Sequence, residues 1–270
     1  MTTDQTARLE WRDGAIPIST RFDDPYFSLE NGLEETRHTF LGGNELPTRF
    51  APGFHIAELG FGTGLNALAS LLAWRASGTT GPLRFTSFEA FPMAACDMDQ
   101  ALAAFPEAHA IAAPMIAAWG SLDKTPGTRV MELPDLILTV VIGDAQQTLP
   151  AWEQQADAWY LDGFSPAKNP ELWNPELMAA VGTHTRSGGS CATYTAAGHV
   201  RRSLQAAGFD VQRVPGFGRK RHMTVGVRTA TTDTGTPDTS PNDTGTDSTS
   251  DTAKTGSDTG PSATNRTPQP

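Results

Sequence analysis

The sequence predicts a doubly wound α/β domain on a mostly parallel sheet, and three observations carry that prediction. From Phe54 onward, short apolar strand-like runs alternate with helical stripes. The first strand runs into a turn containing Gly60, Gly62 and Gly64. The last two strands follow each other without an intervening helix, so they should pair antiparallel. Alternating strands and helices call for a parallel sheet covered on both faces.

Each element can be justified in order. Residues 9–22 (LEWRDGAIPISTRF) read as a hairpin turning at Asp13-Gly14. The aromatic stretch DDPYFS follows, then a helix from about Leu29 to Leu41 ending at Gly42-Gly43. FHIAEL (54–59) is the first buried strand, and Leu65, Leu68, Leu71 and Leu72 make the stripe of the helix behind it. RFTSFEA (84–90) is the second strand; Ala95, Met98, Leu102 and Phe105 form the next stripe. DLILTVVIGDA (135–145), AWYLDGF (158–164) and SCATYT (190–195) are the third, fourth and fifth strands. Asn174-Pro175-Glu176 supplies a cap, a first-turn proline and a first-turn acid for a helix start. A helix over 198–207 closes at Gly208, and FDVQRV and HMTVGV complete a seven-stranded sheet behind an N-terminal extension (1–53). The segment from Thr128 to about Val140 is the least legible part of the domain.

The domain is expected to end near Arg228. Residues 229–270 hold no aromatic and no aliphatic side chain larger than Ala, so they cannot offset the entropy of ordering and read as a disordered tail. A glycosylated stalk is the rival reading of such composition, but no signal-like apolar run opens the chain. No stretch is long enough to span a membrane. Cys96 and Cys191 form no metal or disulfide pattern, which makes a reducing cytoplasm the default. No metal is expected, and a monomer is the default state.

A net charge of −10 speaks against a nucleic-acid partner until its distribution is considered. Residues 198–228 carry Arg201, Arg202, Arg213, Arg219, Lys220, Arg221 and Arg228 against Asp210 alone, a local +6. Such a patch steers phosphates, or is simply a solvated face.

Ligands in these sheets bind beyond the carboxyl ends of the strands, where the order reverses. The first strand ends in Glu58-Leu59-Gly60-Phe61-Gly62-Thr63-Gly64-Leu65-Asn66. A dinucleotide fingerprint would need its third glycine at position 65, which is Leu, and this counts against an NAD-dependent oxidoreductase. The acid followed by G-x-G-x-G resembles the turn of S-adenosylmethionine enzymes. Glu89 ends the second strand, where a carboxylate can accept both ribose hydroxyls. Asp144 ends the third, within reach of an adenine amino group. Each acid alone serves equally well as a helix cap or surface charge; together at successive strand ends they point to a nucleoside.

The fourth strand ends in Asp162-Gly163-Phe164-Ser165-Pro166-Ala167-Lys168-Asn169-Pro170. A primary alkylamine has a pKa near 10.4, so about one in a thousand is neutral, and nucleophilic, at pH 7. A carboxylate near that nitrogen stabilises the charge it gains during transfer and can accept a proton, although it also stabilises the unreactive ammonium. Asp162 is the candidate. Phe164 either stacks on a base or is an ordinary core aromatic.

Several stretches together resemble one family: FDDPYFSLENGLEETRHTFLGGNELPTRF, AELGFGTGLNAL, SFEAFP, WYLDGFSPAKNPELW, TYTAAGHVRRSLQAAGFDV and GFGRKRHM. They look like the tRNA 5-methylaminomethyl-2-thiouridine methyltransferases, of the MnmD or MnmC N-terminal type, over residues 9–228. The resemblance implies the class I S-adenosylmethionine-dependent fold and methylation of the 5-aminomethyl group on wobble uridine 34. It implies that Glu58, Gly60, Gly62, Gly64 and Asn66 line the cofactor and that Glu89 and Asp144 hold its adenosine. Asp162 attends the amine and touches the cofactor; Tyr26, Phe27, Asn44 and Phe164 shape the substrate pocket. Lys168, Arg201, Arg202, Arg219, Lys220 and Arg221 meet phosphates of the tRNA anticodon loop. Bifunctional family members continue into a flavin-dependent oxidase, whereas this chain passes into the Thr/Asp tail, so methyl transfer alone is expected. The alternatives are N-methylation of a small-molecule or protein amine, and a tRNA-binding module without catalysis.

Overall fold

The computed structural model describes residues 6–28 and 31–229. The expected tail from 230 onward and the first residues of the helix expected from Leu29 lie outside the described residues. The N-terminal extension forms a small antiparallel sheet of β1 (Leu9–Arg12), β2 (Ile16–Ser19) and β3 (Asp24–Pro25). Its hairpin loop has three residues rather than the expected two, because Arg12 pairs with Ile16. Asp13 and Gly14 both take positive φ, 52° and 70°, a conformation these two residue types tolerate better than most.

The expected helix after it changes pitch midway. Asn31 caps α1 (Gly32–Thr36) by accepting the Glu34 N–H. The chain then runs through a π-helical turn, Arg37–Leu41, into a 3₁₀ turn at Gly42–Asn44.

The main sheet begins with β4 (His55–Leu59), all five residues of which are buried. It continues through α2 (Leu65–Ser77), β5 (Leu83–Glu89), α3 (Ala95–Leu102), α4 (Pro106–His109) and α5 (Ala113–Ser121). Next come β6 (Gly127–Leu133), β7 (Leu136–Ile142), α6 (Ala145–Thr148) and β8 (Ala156–Leu161). The domain closes with α7 (Pro175–Thr183), β9 (Thr185–Thr193), α8 (Gly198–Ala206), β10 (Phe209–Pro215) and β11 (His222–Arg228). The α7 cap is the expected one, with Asn174 accepting the Leu177 N–H at 2.8 Å.

The strand order is β10–β11–β9–β8–β4–β5–β7–β6. β4 lies parallel to both β5 and β8, so the order reverses there. β10 and β11 pair antiparallel, as expected. The sheet has eight strands rather than the expected seven. The extra one is β6, joined to β7 by the tight turn Pro134-Asp135 and antiparallel to it. As an edge strand it buries only Met131 and leaves Val130 55% exposed, so it lacks the apolar run that marks its neighbours. Two cores cover the sheet. One centres on Ile56, Phe85, Leu138 and Tyr160 beneath α2, α3 and α5. The other joins Phe88, Trp159, Leu177 and Leu204 beneath α7 and α8.

Candidate active site

At the carboxyl ends of β4, β5, β7 and β8 a cleft of about 1300 Å³ opens at the point of strand reversal, the position general to open α/β sheets. The turn after β4 forms part of its lining. Gly60 has φ +91°, and a Cβ there would lie 2.3 Å from the Asp162 carbonyl oxygen; only glycine lets the turns after β4 and β8 approach so closely. Gly62, at φ +54°, lies against the Tyr26 ring. Gly64 does not line the cleft; it packs against Met115 at the start of α2.

Four acids mark the strand ends, each in a different setting. Glu58 lies under the floor, fully buried, accepting from Ser87 Oγ at 2.7 Å and Asn66 Nδ2 at 2.8 Å. Burial holds its carboxyl well above the ordinary range, and its contacts are structural. Glu89 lines the cleft and accepts the backbone N–H groups of Gly62 (3.0 Å) and Phe91 (2.7 Å); burial raises it in spite of them. Asp144 is exposed, and its Oδ1 caps α6 by accepting the Gln146 N–H at 2.9 Å. Asp162 sits partly buried beside Asn66, whose Nδ2 donates to its Oδ2 at 2.7 Å. Burial pushes the Asp162 carboxyl up to about 7, and the Glu35 charge adds to the rise, while the Asn66 bond and the Lys220 charge oppose it.

Asn66 therefore donates from one amide to two carboxyls, and its Oδ1 accepts from the buried Thr36 hydroxyl at 2.7 Å. The Thr36 bond fixes which way the amide faces, so α1 sets the hydrogen bond that Asp162 receives.

An aromatic wall stands beside Asp162. Phe164 stacks on Phe22 with centroids 4.8 Å apart and meets Tyr26 edge-on at 5.0 Å. Burial and then the Glu89 charge push the Tyr26 phenol up, so it stays protonated. The loop carrying Phe164 is held from three sides: Trp173 Nε1 donates to the Phe164 carbonyl, Tyr194 Oη to the Gly163 carbonyl, and the Ser165 N–H to Asp24. At the opposite rim, the loop between β10 and β11 brings Arg219 and Lys220 to the cleft.

The cleft thus brings together Gly60, Gly62, Asn66, Glu89, Asp144 and Asp162 as one group, and Tyr26, Phe27, Phe164, Arg219 and Lys220 as another. It leaves out Glu58 and Gly64, as described above, and Asn44. The last is fully buried away from the cleft, donating to the Phe40 carbonyl (2.9 Å) and accepting from Ser190 Oγ. Lys168 points instead to Asp23 and Asp24 of the extension. Arg201, Arg202 and Arg221 also lie off the cleft lining. Phe22, Glu35, Thr36 and Tyr194 line the cleft without having been singled out in the sequence. For Tyr194 a signal existed, since it follows the end of a parallel strand; Glu35 and Thr36 lie on a helix whose facing partner no spacing reveals.

Comparison with known proteins decides the family. Residues 106–229 match the family described as S-adenosyl-L-methionine-dependent methyltransferase. The tRNA 5-methylaminomethyl-2-thiouridine biosynthesis bifunctional protein MnmC of Pseudomonas fluorescens is 43% identical over 79% of this chain and 33% of its own. Its namesake from Chromobacterium violaceum is 44% identical over 83% of this chain and 35% of its own. The crystal structure of MNMC2 from Aquifex aeolicus superposes with a TM-score of 0.62 at 26% identity, covering 83% of this chain and 71% of that one. The chain belongs to the MnmC methyltransferase-domain family. It spans about a third of the length of the two MnmC proteins. The cofactor of this MnmC-type domain is S-adenosylmethionine, and the cleft fits it. A carboxylate pre-oriented by two backbone N–H groups stands at the end of β5, and the turn after β4 offers bare backbone where any side chain would intrude. Among the described residues, no helix is long and apolar enough to cross a membrane.

Proposed function

We propose that this chain transfers a methyl group from S-adenosylmethionine to the 5-aminomethyl amine of wobble uridine 34 in tRNA, giving the 5-methylaminomethyl product. The names of the MnmC relatives suggest that substrate, and the carrying observation is Asp162. Its carboxyl, raised to about 7, faces the cleft beside an aromatic wall. When bound, the cofactor supplies an electrophilic methyl group on a positively charged sulfur. The residues of the chain do the rest. Glu89 would accept from the ribose hydroxyls, Asp144 would meet the adenine, and Gly60 and Gly62 would let the ligand approach the backbone.

The acceptor would be the neutral amine, to which the bound cofactor would supply its methyl group while its sulfur kept the electron pair of the broken bond. The nitrogen gains positive charge in that step, and Asp162, ionised, stabilises it and takes the proton released. A carboxyl titrating near 7 is better matched to this than one at the ordinary 3.8, because both of its forms are populated at neutral pH. An unpaired wobble base can be turned out of its stack into the cleft, where Phe22, Tyr26 and Phe164 offer aromatic faces and edges. Arg219 and Lys220 at the rim, with Arg202 and Arg221 exposed on the same C-terminal segment, meet the phosphates. The catalytic unit is the region through Arg228, and a tRNA substrate places it in the cytoplasm.

The test is transfer of labelled methyl groups to tRNA carrying 5-aminomethyluridine, comparing the wild-type chain with Asp162→Ala. Label in the wobble nucleoside, with a loss of about 10²-fold or more in the variant, is expected. No label, with cofactor still bound, would transfer the reading to a small-molecule or protein amine.

A further inference from the structure

One ammonium group already sits in the cleft. Lys220 Nζ lies 2.5 Å from Glu35 Oε1 and 4.1 Å from the centroid of the Tyr194 ring. The two partners are fixed more firmly than the lysine. The Glu35 side chain is 12% exposed and that of Lys220 43%. Tyr194 is anchored by its hydroxyl, which donates to the Gly163 carbonyl at 2.7 Å, next in the chain to Asp162. The cation can therefore swing into solvent, whereas the carboxylate and the ring cannot follow it. Their charges reach the reacting region, since Glu35 and Lys220 shift the Asp162 carboxyl in opposite directions.

We propose that Glu35 and the face of Tyr194 form the subsite that receives the acceptor's ammonium, and that Lys220 holds this subsite until the acceptor displaces it. The proposal rests on the reading that the acceptor is a primary alkylamine. Such an amine arrives almost wholly protonated at pH 7, with the same chemistry as a lysine side chain. A half-buried carboxylate and an aromatic face both favour that ion over a neutral base. Exchanging one ammonium for another keeps Glu35 paired throughout, so entry does not leave its carboxylate without a partner. Lys220, once released, lies beside Arg219 on the rim, where a phosphate can take it up.

The experiment uses the full chain, with Glu35→Gln and Lys220→Met as variants. In a chain labelled with ¹³C at lysine Cε, the Lys220 signal, identified by its loss in Lys220→Met, should be displaced by the Tyr194 ring. Methylammonium chloride should return it to the position of a solvent-exposed lysine, and Glu35→Gln should place it there without any addition. In methyl transfer to 5-aminomethyluridine tRNA, Glu35→Gln should raise KM roughly tenfold while kcat changes far less, the signature of lost ground-state binding. Methylammonium should inhibit Lys220→Met more strongly than wild type. An undisplaced Lys220 signal in the wild type, or an unchanged KM in Glu35→Gln, overturns the subsite. A displaced signal in a wild type that methylates no aminomethyl tRNA overturns the amine reading, and with it the acceptor's claim on Glu35.

Discussion

The two ends of β4 make opposite use of buried polar groups. At the amino end the charges are matched: both oxygens of Asp157 lie 2.7 Å from Arg186 Nη1, and its Oδ2 also accepts the His55 N–H at 2.8 Å. His55 meets the Thr86 hydroxyl at 2.9 Å, and burial, helped by the Arg84 charge, pushes its imidazole down to about 4. At the carboxyl end, Glu58, Glu89 and Asp162 take hydrogen bonds from neutral donors, namely an amide, a hydroxyl and backbone N–H groups. The amino end pairs its carboxylate with a guanidinium. The carboxyl end carries acids raised by burial, and a positively charged ligand relieves that cost. The same strand thus separates charge that serves stability from charge held for chemistry.

The comparison sharpens most at Asp162. Asp162→Asn should lower kcat/KM for methyl transfer by about 10²-fold or more. The wild-type rate should climb through pH 7 as the carboxyl ionises, and the variant should keep only the rise due to ionisation of the amine itself. Next is the opposed pH dependence of the two ends. His55, lowered from 6.5 to about 4, stays neutral in the fold while the unfolded chain gains a proton, so its contribution is present above 6.5 and is lost as pH falls through that window. At about 1.4 kcal/mol per unit this comes to roughly 3 kcal/mol, and urea denaturation of His55→Gln between pH 4 and 7 should lack that decline. Asp162, raised from 3.8 to about 7, works the other way: its contribution is present below 3.8 and fades as pH rises toward 7, so Asp162→Asn should flatten that fall.

A smaller effect is expected at Asn66. Asn66→Ala removes one donor from two carboxyls and should cost about 1–3 kcal/mol. Because that bond lowers the Asp162 carboxyl, its loss should move the midpoint of the rate profile to higher pH. The smallest is Arg186→Ala. Its side chain is 43% exposed, so unfolding should detect less than about 1 kcal/mol and methyl transfer should be unchanged. A fall in activity there would break the division between the two ends.

The sequence exposes those parts of the molecule whose cause is local. Apolar runs give the buried strands, Asn174-Pro175-Glu176 gives the start of α7, and Gly60 and Gly62 give the turn that needs bare backbone. The acids at successive strand ends are legible as a group because the strands themselves are. β6 escapes notice because an edge strand buries too little to pattern its residues. Glu58 and Asn44 look like site residues in one dimension, but the first lies beneath the floor and the second braces Ser190 on β9. Glu35 and Thr36 depend on α1 meeting α2 and the loop between β10 and β11, the latter 185 residues from Glu35, which no spacing encodes.

The hydrogen bond from the Ser165 N–H to Asp24 joins residues 141 positions apart, and Lys168 repeats the link to Asp23 and Asp24. It has a consequence for the order of assembly. The extension that supplies Phe22 and Tyr26 to the aromatic wall is made before the main sheet. Its anchoring partner is made only after β8, and a contact that distant closes late. A segment made before the sheet is therefore among the last to settle, and the aromatic wall is completed only once the sheet beneath it stands.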